Sequence, residues 1–116
     1  MSLNSLIIST LTPLGFPVAF QALSPEEKAL NPHTYITFFE YNQRGALFAD
    51  DEEIKSAHSI QVDIWSKYNY SNLVKQVKGS LKKVGFTRIM ETEFYEDEIE
   101  FYHKVIRFSF TQEGGI

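Results

Sequence analysis

Three histidines and two knots of carboxylates are the side chains in this sequence best suited to chemistry. His33, His58 and His103 lie far apart, and none has the His-x-x-x-His spacing of a helical metal site. His58 falls on the apolar phase of an alternating stretch, and His103 sits near Glu100 in another. Either is a candidate base or ligand beside an acid, and either is equally a half-buried structural histidine. Acids cluster at Asp50-Asp51-Glu52-Glu53 and at Glu96-Asp97-Glu98. A calcium loop needs spaced oxygens around a turn glycine. Neither run has them, so both read as solvated or partner-facing turns. Lys75, Lys78 and Lys82 recur at i, i+3 and i+7, which is one face of a helix. Basic clustering is the footprint of phosphate binding. It is also the polar side of any amphipathic helix, and this face lacks the interleaved aromatics of single-strand binding. The chain has no cysteine, hence no disulfide, thiolate metal site or cysteine nucleophile. It has no Gly-x-Ser-x-Gly elbow and no glycine-rich phosphate loop. No cofactor is expected.

Length and charge bound what must position these groups. At 116 residues the chain is one domain's worth, 1–116. The 11 Lys+Arg against 15 Asp+Glu give a net charge of −4, which disfavours global binding to nucleic acid. That charge is divided. From Ser66 to Met90 there are six basic residues and no acid; from Glu91 to Glu100 there are six acids and no base. No apolar run approaches a membrane span, and the start lacks the basic region of a leader, so a soluble, intracellular chain is expected.

Leu3, Leu6, Ile7, Leu11 and Leu14 recur at helical spacing, with Ser2 or Asn4 as cap and Pro13 and Gly15 as stop. Phe16 to Phe20 reads as a short extended segment, placed at an edge by Pro17. Ser24-Pro25-Glu26-Glu27 starts a helical turn that Asn31-Pro32 ends. Thr34 to Tyr41 is strand-like, Asn42 to Gly45 signals a turn, and Ile54 to Ile64 alternates as a long strand. Tyr70, Leu73, Val74, Val77, Leu81 and Val84 form the best helical stripe, with Asn69 or Ser71 as cap and Gly85 as stop. Phe86 to Tyr95 and Ile99 to Phe110 are two strands joined by the acidic turn 96–98. Residues 111–116 are expected to fray. The class is therefore α+β: an antiparallel sheet of about four strands with two main helices packed on one face. Both phases of the aromatic strands carry large apolar groups: Tyr35, Phe39 and Tyr41 on one, Ile36 and Phe38 on the other. A second cover is needed, either the chain's own 16–32 segment or another subunit.

Together, Leu14-Gly15-Phe16-Pro17-Val18, Pro32 to Phe38, Phe48 to Ile54, Val62-Asp63-Ile64-Trp65-Ser66-Lys67 and Val84-Gly85-Phe86 make the sequence similar to the phage and prophage tail terminator (tail-completion, tail-to-head joining) family. The likeness spans most of residues 3–110. It implies a small, non-enzymatic α+β subunit of a homo-oligomeric ring, typically a hexamer, that ends tail-tube growth and docks the head connector. Its implied partners are the tail-tube and connector proteins, with no membrane, and DNA passing through the lumen without specific binding. The implied location is the cytoplasm of the host bacterium during assembly, then the virion tail. The family's contact loops match Arg44, Phe48, Asp50, Asp51, Glu52 and Glu53 of the 42–53 loop, and Glu96, Asp97 and Glu98 of the later turn. Ring contacts join unlike patches, and the basic face Lys75, Lys78, Lys82 facing an acidic loop is one candidate pair. The alternative is a small cytosolic enzyme or ligand-binding domain using His58 or His103. A nucleic-acid adaptor through the three lysines is a third, weaker reading.

Overall fold

The computed structural model describes residues 2–49 and 52–113, excepting the side chains of 42–49, 52–56 and 112–113. The elements run α1 (Leu3–Leu11, extended by a 3₁₀ turn Thr12–Leu14), β1 (Val18–Phe20), α2 (Pro25–Ala29), β2 (Thr34–Ala49), β3 (Glu52–Ser66), α3 (Ser71–Lys83), β4 (Thr87–Glu96) and β5 (Phe101–Glu113). The fold is α+β, with one sheet of five strands in the order β1-β2-β3-β5-β4. The strand beyond the expected four is the short edge segment β1, and it pairs parallel to β2. A parallel neighbour needs a crossover of a dozen or so residues, and residues 21–33, with α2 inside them, supply it. All other pairings are antiparallel.

Sequence chemistry accounts for most of the boundaries. Ser2 caps α1 by accepting from the Ser5 amide, and Gly15 closes the 3₁₀ turn in a left-handed conformation. Ser24 and Glu27 form a reciprocal capping box on α2. The cap expected on α3 is absent: its N-cap is Tyr70, with no side-chain bond. Asn69 Oδ1 instead accepts from the amide and hydroxyl of Ser71, a local turn ahead of the helix. The turn expected at 42–45 is also overridden. β2 runs through it, with register shifts at Tyr41/Arg44, Gly45/Leu47 and Leu47/Phe48 absorbing the misfit as bulges. At the other terminus β5 continues to Glu113, where Lys55 pairs with it, three residues into the stretch expected to fray.

The two-residue strand period sorts the sheet into two faces. Ile36 and Phe38, Ile60, Val62 and Ile64, and Ile106 and Phe108 point to one face and are all nearly solvent-free. Against them pack Leu3, Ile7 and Leu11 of α1 and Leu73, Val74, Val77 and Leu81 of α3. That is the main core, with the helices on one side as the stripe at 70–84 requires. Among the described residues no helix is long and apolar enough to cross a membrane.

Candidate functional site

Cross-strand register builds the open face. Tyr35 lies opposite Trp65, Trp65 opposite His103, and His103 opposite Phe94, so one row of rings crosses β2, β3, β5 and β4. Tyr35 and Trp65 stack at 5.9 Å, Trp65 and His103 at 3.7 Å, and Phe94 tilts against His103 at 6.0 Å. Phe101 meets Tyr35 edge-on at 5.8 Å. The rings spend their faces on one another, which leaves them poor platforms for stacking bases.

A polar relay runs beside the row. Arg107 Nε donates to Gln61 Oε1 at 3.0 Å, and Gln61 Nε2 donates to Asp63 Oδ1 at 2.9 Å. His103 Nε2 lies 2.7 Å from the same Asp63 oxygen, and His103 Nδ1 lies 3.3 Å from Glu96 Oε1. Trp65 Nε1 donates to Thr37 Oγ1 at 3.1 Å. Burial pulls the imidazolium of His103 down. The hydrogen bonds and charges of Asp63, then Glu96, outweigh it and hold the group above the ordinary histidine value. Sequence reading does not single out Asp63 as a partner of His103; it appears there only within the stretch Val62 to Lys67. His103 meets it, and Glu96, rather than the neighbouring Glu100.

His58 sits on the helix side of the sheet, as its phase predicts. It is buried, with Nδ1 at 2.6 Å from Glu40 Oε2. Its Nε2 has no hydrogen-bond partner among the described residues. Four surface cavities among the described residues, of about 260 to 460 Å³, are lined by neither His58 nor His103. His103 has both ring nitrogens engaged, and the Nε2 of His58 is enclosed.

The basic helix face is only partly free. Lys78 Nζ pairs with Glu91 Oε2 at 3.1 Å, Arg88 Nη1 with the same oxygen at 3.4 Å, and Lys104 Nζ with Glu91 Oε1 at 3.2 Å. Burial pushes the Glu91 carboxyl up, but Lys78 and Lys104 together hold it below the usual carboxylate value. The basic and acidic stretches thus meet first within the chain, through a glutamate that sequence reading did not single out. Its only signal was its place opening the acidic run. Lys75 and Lys82 are exposed, as are Asp97 and Glu98 in the β4–β5 turn; Glu96 serves His103. Arg44, Phe48, Glu52 and Glu53 lie on the strands of the β2–β3 hairpin, and their side chains are outside the described set. Asp50 and Asp51 lie outside the described residues altogether.

The segment 21–28 supplies part of the second cover. Gln21, Ala22, Leu23 and Lys28 line a shallow cavity with Tyr35, Thr37 and Trp65, at the β2 side of the open face. On the β4 side, Met90 and Phe94 remain exposed. No protein-family model matches the chain, and no curated protein matches it either.

Proposed function

We propose that this chain is a structural subunit of a phage or prophage tail, a tail terminator that assembles into a ring, ends growth of the tail tube and docks the head connector. The observation that carries the reading is the extension of the sheet. β4 joins it only as far as Thr87, opposite Ser109, Ser59 and Tyr41. β2 and β3 pair on past that row to Ala49 and Glu52. The extension holds Arg44, Phe48, Glu52 and Glu53, the positions that resemblance assigns to contacts with neighbours and tube. The exposed edge residues Ile89, Met90 and Phe94 on β4 supply a second, unlike surface, as head-to-tail contacts in a ring require. The subunit would form in the host cytoplasm and end in the virion tail.

The test is genetic and structural together. Deleting the coding sequence from the phage or prophage that carries it should leave full heads unjoined to tails and tails of unregulated length, seen by electron microscopy. Supplying the chain in trans should restore both. Complete virions in its absence would overturn the reading.

A further inference from the structure

Two charged features stand at opposite ends of the β4–β5 hairpin. Where α3 closes and β4 begins, a half-open cavity of about 440 Å³ lies between Lys78, Lys82 and Arg88, over the rings of Phe86 and Phe108. The two rings are buried and form an apolar floor. Lys78 and Arg88 are held on the rim by Glu91, while Lys82 makes no ion pair among the described residues and is exposed. Three cations against one shared carboxylate leave the rim positive.

At the far end, the turn after β4 is closed by the Glu100 amide donating to the Glu96 carbonyl at 2.8 Å, with Glu100 in a left-handed conformation. It presents Asp97, Glu98 and Glu100 to solvent around an Ile99 that is 48% exposed. None of these three acids is ion-paired among the described residues. An apolar tip ringed by carboxylates is the converse of an apolar floor ringed by cations.

We infer that the 97–100 turn of one copy seats in the Lys78, Lys82 and Arg88 cavity of the next, with Ile99 over Phe86 and Phe108 and the acids on the cationic rim. The occupant is a second copy of this chain because both the charge and the apolar part match. A free phosphate would satisfy the cations and leave the exposed Ile99 of the turn uncovered. The two features lie a β4 length apart, roughly 30 Å, so a copy cannot satisfy itself. The contact joins unlike patches and therefore propagates head to tail. The inference deepens the ring reading and rests on it only for closure of the chain of contacts.

The experiment uses the full chain at low salt. Raising its concentration toward millimolar should shift the amide resonances of 82–88 and 97–100 together, and sedimentation should show association that added salt weakens. Lys82→Glu/Arg88→Gln and Asp97→Lys/Glu98→Lys should each weaken self-association more than about tenfold. These side chains are at the surface, so the thermal transition should stay close to that of the parent. An equimolar mixture of the two variants should associate again, because each supplies the patch that the other lacks. Shifts at only one of the two regions, no concentration dependence, or variants that associate like the parent would each overturn the contact. If the variants associate normally and still complement tail assembly, the contact falls and the tail reading stands. If the contact holds and deletion leaves virions intact, the tail reading falls and the contact stands.

Discussion

His103 is held between two carboxylates and stacked on an indole. Asp63 is buried and Glu96 partly so, and Trp65 covers one ring face at 3.7 Å, an arrangement that favours the charged form. Its folded pKa therefore lies above its unfolded one. The stability this contributes is fully present below the ordinary histidine value of about 6.5 and is lost as pH rises through the higher folded value. Urea unfolding should show the parent losing stability as pH rises through that window, with the loss much reduced in His103→Gln. An NMR titration should place His103 above about 6.5 in the parent and lower in Asp63→Asn. An unchanged titration in Asp63→Asn would remove the pairing. At this scale the sequence was only half legible. Strand alternation put His58 on the core phase, and there it lies. The partner of His103 was missed because Asp63 is 40 residues away, and only the β3–β5 register brings the two together.

The end of α3 shows how one residue fixes an element. Gly85 follows the helix at φ +104°, and a Cβ there would meet the Phe110 ring at 3.3 Å. Phe110 is stacked on Phe86 at 4.4 Å, so it has little room to yield. Gly85→Ala should destabilise the fold by about 1–2 kcal/mol, from backbone strain and the displaced ring. Thermal unfolding would read this, and a neutral effect would mean that the chain leaves α3 by another route. Gly85 as a stop was legible, as were the α3 stripe, the Ser24 cap and the order of elements, because each rests on neighbouring residues. What was not legible depends on distant partners. Asn42 to Gly45 carries turn chemistry, yet β3 pairs across it, and three register shifts let the strand continue. The same holds for the parallel β1, whose direction is set by the 21–33 crossover and not by its three residues.

Across the whole molecule the sheet has two faces of different character, and they should respond differently to the same insult. On the helix side, Leu81 is solvent-free and packs in the continuous core with Val77 and the α1 residues. Truncating it leaves a cavity in that core, and Leu81→Ala should cost about 2–5 kcal/mol. On the open side, Phe94 belongs to the ring row but is 51% exposed, on the outermost strand. Half of its surface is already in water, and strand β4 can relax outward, so Phe94→Ala should cost about 1 kcal/mol or less in the isolated chain. Urea unfolding of the two variants at low protein concentration compares the faces directly. Equal losses would mean that the open face is a second core in the monomer, complete without a neighbour. The expected inequality would mean that Phe94, with Met90 beside it, contributes little until something covers β4. Repeating the comparison at a concentration where the chain associates separates the two cases. The Phe94→Ala penalty should grow there if a second copy provides that cover, while the Leu81→Ala penalty, set inside one chain, should not change.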